Sequence, residues 1–183
     1  MRPEPEGPQL ETERLLLRPP RQSDFDAFAE MQADADAAHF IGGAVARPEA
    51  WRRFLWQPGA WWLQGFGMFS VLDRVSGQWL GQIGPWRPEG WPGNEIGWAF
   101  HPRAQGKGYA TEAARPIIDW AFEHLGWDDI IHSIDSDNVA SQRLAERLGS
   151  RRLRQAQMPP PFDDLVLDIW GQSRAEWQAR WPR

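Results

Sequence analysis

Apolar residues recur at helical spacing over one long stretch of the chain. Ala110, Ala113, Ala114, Ile117, Ile118, Ala121, Phe122 and Leu125 fall on one face of a 3.6-residue period, which predicts a helix over 108–124. Gly126 is suited to stop it. Pro116 lies inside it and removes one backbone donor. Ile96-Gly97-Trp98-Ala99-Phe100 and Ile130-Ile131-His132-Ser133-Ile134 read as buried strands. In the N-terminal half, 10–18 reads as a first strand, and 67–72 and 78–85 as an antiparallel pair joined at Asp73-Arg74-Val75-Ser76-Gly77. Ser23-Asp24 is placed to cap a helix through Ala33, with Phe25, Phe28, Ala29 and Met31 inward. A second helix is expected from Pro48 to Trp56, Pro48 suiting a first turn, with a loop at 38–43 between the two. Asn138 is placed to cap a further helix that Gly149 ends. The last two strands are expected at 150–154 and 165–170, and Pro159-Pro160-Pro161 makes 155–164 an exposed loop. These elements form a single α/β (α+β) domain: a mixed, mostly antiparallel sheet of about seven strands with helices on both faces. With no internal repeat or long linker, the domain spans 9–178. A Pro- and Glu-rich tail, 1–8, is expected to be disordered, and a short tail follows at 179–183.

The junction between the strand ending at Phe100 and the long helix carries the most chemistry. Arg103-Ala104-Gln105-Gly106-Lys107-Gly108-Tyr109-Ala110 is a glycine-rich turn before a helix start. Glycines let a backbone approach a ligand without a Cβ clash. The unpaired N–H groups of a first helical turn point at an anion, and the helix dipole favours it. The turn therefore predicts a phosphate-bearing ligand. The nucleotide-hydrolase loop needs Ser or Thr after Gly-Lys, and here Gly108 follows Lys107. The dinucleotide pattern fails too, because Thr111 stands where its third glycine belongs.

Arg-x-x-Gly-x-Gly, Arg103 to Gly108, resembles the acyl-CoA pyrophosphate loop of the GNAT superfamily of N-acetyltransferases. Asn94-Glu95-Ile96-Gly97-Trp98-Ala99-Phe100-His101-Pro102 is similar to the strand before that loop. Asp135-Ser136-Asp137-Asn138-Val139-Ala140-Ser141 is similar to the entry of the family's later helix. Leu10-Glu11-Thr12-Glu13-Arg14-Leu15-Leu16-Leu17-Arg18, Asp168-Ile169-Trp170 and Arg174-Ala175-Glu176-Trp177 resemble the branch that includes ribosomal-protein N-terminal acetyltransferases. The resemblance covers about residues 9–178.

Composition narrows the function classes. There are no cysteines, so disulfides, thiolate metal sites and a cysteine nucleophile are excluded. The four histidines, His39, His101, His124 and His132, lack metal-ligand spacing, and no metal is expected. The net charge of −5 argues against a nucleic-acid binder acting through a basic surface, and suits a cationic acceptor such as an amine. No apolar run approaches the ~20 residues of a membrane span, and the N-terminus lacks the apolar core of a secretory signal. A cytoplasmic protein with no membrane partner is the expectation, with homodimerisation an open option. The 13 tryptophans are unusual for this length. They would serve as core filler, as a large apolar cleft, or as stacking platforms for sugars or peptides.

The resemblance implies direct attack of a primary amine, on a small molecule or a protein N-terminus, on the thioester of acetyl-CoA. It places backbone amides between Ala104 and Tyr109, with Ala110, on the pyrophosphate, and Arg103 and Lys107 as added charge. Gln105, Gly106 and Gly108 belong to the same turn. It places Phe100 and His101 beside the pantetheine arm, and gives Asn138 a contact with that arm besides its capping role. Glu95 is the candidate base, or otherwise a structural or substrate-contacting carboxylate. Many family members place a Tyr inside the helix after the Asn to serve the leaving thiolate, and Ala145 stands there in this chain. Ser141 is the candidate substitute, both catalytic and cofactor-contacting; its other role is a first-turn residue bonding the backbone. Phe40, Trp51, Trp56, Trp86 and Trp98 lie in segments that flank the acceptor cleft in this fold. Two alternatives remain: a CoA-binding sensor or structural protein without transfer activity, for which the missing Tyr speaks, and a tryptophan-lined binding module, against which the intact loop speaks.

Overall fold

Leucines two residues apart begin the sheet. Leu15 and Leu17 are fully buried, as alternation on one face of a strand requires. The computed structural model describes residues 7–182 and splits the expected first strand into β1 (Leu10–Glu11) and β2 (Leu15–Arg18), paired antiparallel. Thr12 makes the turn: its N–H donates to the Leu15 carbonyl, and its hydroxyl accepts from the Leu15 N–H. That split raises the strand count from seven to eight.

β2 pairs antiparallel with β3 (Phe69–Asp73), and β3 with β4 (Trp79–Trp86). The Asp73 carboxylate accepts the N–H groups of Val75 and Ser76, closing the expected turn. Val71 faces Gly81 but Leu72 faces Trp79, so β4 carries a one-residue bulge. A Cβ on Gly81 would lie 2.6 Å from the Ala99 carbonyl oxygen, so only glycine lets β5 (Glu95–Phe100) come this close. β5 pairs in parallel with β6 (Asp129–Ile134). β6 is antiparallel to β8 (Val166–Ser173), and β8 to β7 (Arg151–Gln157). The sheet order is β1-β2-β3-β4-β5-β6-β8-β7, a mixed and mostly antiparallel open sheet. β7 continues into the segment expected to be a loop and stops just ahead of Met158 and the three prolines. Cross-strand pairing with β8, Gln157 opposite Val166, carries it that far.

The helices are α1 (Phe25–Ala33), α2 (Ala35–Ala38), α3 (Arg47–Gln64), α4 (Tyr109–His124), α5 (Val139–Leu148) and α6 (Arg174–Arg180). Asp24 does not cap α1 as expected. Its carboxylate accepts instead from the Arg18 guanidinium at 2.7 and 2.8 Å and from the Ser70 hydroxyl, all three buried. α3 runs through Pro58 to Gln64, eight residues beyond the expected end. Its buried side, Ala50, Phe54, Gln57 and Trp61, continues past the proline and holds the last turns in place. The expected tail after 178 is partly helix, because Ser173 and Glu176 form a reciprocal capping box at the start of α6. Of the N-terminal tail, Gly7 packs against Pro19 and Trp61; residues 1–6, and Arg183, lie outside the described residues.

Two compact units divide the chain, Met1–Gly84 with Trp98–Pro116, and Pro85–Gly97 with Ile117–Arg183. In the first, Phe28, Met31, Ala50, Phe54 and Trp79 form a core cluster. In the second, Ile117, Ile118, Ala121 and Phe122 of α4 are buried, as are Ile130, Leu148, Ile169 and Trp177. Among the described residues no helix is long and apolar enough to cross a membrane, and no cluster of His, Asp and Glu is placed to hold a metal ion.

Candidate functional site

The glycine-rich turn expected to hold phosphate lies in the first unit. Beyond Phe100 the chain makes a short 3-10 turn, Pro102–Ala104, anchored by the buried Ala104. Gly106 and Gly108 then adopt φ of 72° and 79°, the left-handed region that disfavours side chains. The first hydrogen bond of α4, a 16-residue helix, runs from the Glu112 N–H to the Gly108 carbonyl, so the N–H groups of Tyr109, Ala110 and Thr111 lie ahead of the helix's own ladder. A glycine turn leading into such a helix start suits an anionic group.

Arg103 and Lys107, both expected to add charge at the turn, differ in their surroundings. Arg103 is engaged within the protein: its guanidinium meets Glu30 at 2.6 Å and the His101 ring at 3.0 Å. Burial, then the Arg103 charge, holds the His101 pKa below its usual value. Gln105 donates to the Phe100 carbonyl. Lys107 is exposed and stands at the turn as a solvated cation.

A clamp that sequence reasoning missed holds the turn from the side. Arg14 donates to the Lys107 carbonyl at 3.1 Å and to the Glu112 carboxylate at 2.7 Å, and its guanidinium lies 4.5 Å from the centre of the Tyr109 ring. Glu112 also accepts the Thr12 hydroxyl at 2.6 Å and the Arg14 N–H at 3.0 Å. Partial burial acts to raise the Glu112 pKa, but these hydrogen bonds prevail and hold it below the usual range. Thr12 and Arg14 stand about 98 residues from Glu112 in sequence, so local patterns cannot pair them.

In the second unit, Glu95 begins β5 with its side chain buried. Its carboxylate accepts the Trp91 indole N–H at 2.5 Å and the Ser133 hydroxyl at 2.6 Å. Burial pushes its pKa up to about 7, against the lowering effect of the two donors. Trp91 stacks edge-on against Trp86, centroids 6.5 Å apart, and against Phe162 at 6.3 Å. The titratable carboxylate is thus bonded to an indole that itself packs against two further aromatic rings. Of these partners only Trp86 was expected at the site. Ser133 had a legible signal, a hydroxyl inside an otherwise buried apolar strand; the pairing Glu95 with Ile131 sets it beside the acid. The neighbouring His132 is buried, with Nδ1 2.7 Å from the Ile96 carbonyl, and burial pushes its pKa down to about 4. It is a structural, neutral ring.

Asn138 caps α5 as expected, its side chain accepting the Ser141 N–H at 3.1 Å. Ser141 stands in that first turn, and Ala145 is fully buried one turn later. Trp98 is partly buried in β5, while Phe40, Trp51 and Trp56 belong to the first unit and are exposed. Trp51 rests edge-on against Phe25 at 4.7 Å.

Residues 14–151 match the acetyltransferase (GNAT) domain family. The chain is 30% identical over 143 residues to the uncharacterized N-acetyltransferase YnaD of Bacillus subtilis, across 78% of this chain and 82% of that one. It is similar to the crystal structure of an acetyltransferase from Agrobacterium tumefaciens, with 31% identity, a TM-score of 0.79, and coverage of 92% of this chain and 96% of that one. The same fold recurs in the ribosomal-protein-S5-alanine acetyltransferase of Vibrio fischeri, with 18% identity, a TM-score of 0.71, and coverage of 92% and 98%. The chain belongs to the GNAT acetyltransferase family, and its α/β sheet is the fold of that family.

Proposed function

We propose that this protein transfers an acetyl group from acetyl-CoA to a primary amine, either a protein N-terminus or a small molecule, by direct attack. The observation that carries the reading is Glu95: a buried carboxyl with a pKa of about 7 that accepts from the Trp91 indole and the Ser133 hydroxyl. Perturbed acids of this kind concentrate where proton transfer is needed. The glycine turn at Gly106 and Gly108, leading into the N–H groups that open α4, supports a diphosphate-bearing donor. Acetyl-CoA held there supplies the acetyl thioester.

An amine acceptor has a pKa of ~8 to ~10 and arrives as an ammonium ion near neutral pH. That ammonium first gives up one proton to solvent, which frees the nitrogen lone pair; Glu95, ionised above pH 7, then accepts the second proton as the nitrogen's bond to the acetyl carbon forms. The carbon–sulfur bond breaks and its electron pair leaves on sulfur. A thiol pKa of ~8.5 makes that thiolate a tolerable leaving group, and a hydrogen bond from the Ser141 hydroxyl supports it. Asn138 and Phe100 are assigned to the pantetheine arm. Trp86 and Trp98 are assigned to the acceptor.

Two measurements test this. Calorimetry should show acetyl-CoA binding, and release of free thiol should depend on the acceptor amine supplied from a panel. Binding without release for any amine would make the protein a CoA sensor; absence of binding would remove the donor assignment altogether.

A further inference from the structure

The helix α3 presents a second apolar face, opposite the one it buries. Ala50, Phe54, Gln57 and Trp61 point into the first unit and are buried. On the outer side Leu55 is 47%, Trp56 53%, Trp62 61% and Leu63 88% exposed, and Trp51 is exposed at one end. Residues 54–64 read Phe-Leu-Trp-Gln-Pro-Gly-Ala-Trp-Trp-Leu-Gln, with no charged residue among them. Solvated helix faces are ordinarily charged, and a large uncharged apolar patch marks an interaction surface.

The spacing specifies a shape. Trp51, Leu55, Pro58 and Trp62 recur at intervals of four, three and four residues, the rhythm of a helix seam that packs against another helix. Trp56, Gly59 and Leu63 make a parallel row beside it. Nothing lies within 4 Å of a Cβ placed on Gly59, so this row has a gap where a facing side chain fits. The seam is symmetric about its own middle: in an antiparallel crossing of two α3 helices, Trp51 of one meets Trp62 of the other, and Leu55 meets Pro58. That is the self-complementarity a two-fold interface demands. From these exposures the five large side chains offer roughly 500–700 Å² of apolar surface per copy, close to the ~800 Å² per partner of a stable interface. Arg52 is paired with Glu49 at 2.9 Å, so the charges bordering the seam are already matched.

We infer that α3 is the dimer interface of this protein and that its occupant is a second copy of the same chain, packed antiparallel about a two-fold axis. The inference is independent of the proposed chemistry, because association is measured without donor or acceptor. Sedimentation velocity of the full chain over a wide concentration range should show a species of twice the chain mass. The double variant Trp62→Glu and Leu63→Glu puts two charges into the apolar face and should sediment as a monomer, with its dissociation constant raised at least ~100-fold. Both positions are exposed, so its circular dichroism and its acetyl-CoA binding should match wild type. A wild-type monomer at every concentration would overturn the inference, as would a dimer that survives in the double variant. If the wild type is monomeric and the variant instead binds acceptor amines more weakly, the face belongs to the acceptor and the dimer assignment is wrong.

Discussion

Glu95 is where a single side chain decides most. As the proposed base it has a pKa of about 7, so the rate should fall as the pH drops below that value. Glu95→Gln should lower kcat and abolish that acid limb, with acetyl-CoA affinity unchanged by calorimetry; a retained limb would place the base elsewhere. Ser133→Ala removes a donor that lowers the pKa, so the limb should move to higher pH, a shift that a purely structural role for Ser133 would not produce. Ser141→Ala should reduce kcat by ~10²-fold or less, the cost of one donor to a developing charge. Full activity in that variant would refute its role.

Under the proposed function, donor binding falls to the turn before α4, which is shaped by backbone more than by charge. Gly106→Val or Gly108→Val forces a branched side chain into φ of 72° or 79°, and should abolish acetyl-CoA binding while thermal unfolding remains cooperative. Lys107→Ala should cost much less, because an exposed cation contributes little. Arg14→Ala removes the bond to the Lys107 carbonyl, the pairing with Glu112 and the contact with Tyr109. It should raise the KM for acetyl-CoA more than it lowers kcat. Arg14→Lys should not restore it, since an ammonium cannot reproduce the fork that spans these partners. Equal KM values in wild type and Arg14→Ala would show the clamp to be idle.

Across the whole molecule, the buried ionisable groups set opposite pH limits on stability. The Glu95 pKa is raised from 4.5 to about 7 on folding, so its share of stability is complete below pH 4.5 and is lost as pH rises through 7. The shift corresponds to about 3 kcal/mol. The His132 pKa is depressed from 6.5 to about 4, so its share is complete above pH 6.5 and is lost as pH falls through 4. Glu95→Gln should therefore be more stable than wild type at pH 8, and the difference should shrink as pH falls toward 4.5 in denaturant titrations. An unchanged difference across that range would mean the carboxyl is not buried as described. In the first unit, Asp24→Ala leaves the buried Arg18 guanidinium without its partner and should cost ~3–5 kcal/mol.

The sequence by itself determined the elements whose signals are local. The apolar stripe of α4, the left-handed glycines of the phosphate turn, the Asn138 cap and the Gly149 stop are short-range effects of side-chain spacing and backbone freedom, and each stands where the pattern puts it. Local signals erred where long-range contacts outweighed them: Thr12 folded one strand into two, the packed face of α3 carried a helix through Pro58, and pairing with β8 drew β7 out of an apparent loop. The tertiary structure alone decided the company of the functional side chains. Glu95 was legible as a candidate base, but its pKa comes from burial and from Trp91 and Ser133, brought together by a turn and a parallel strand. Arg14 reaches the phosphate turn from the other end of the chain. Periodicity reports which face of an element is apolar; it carries no information about which distant residue that face, or that charge, will meet.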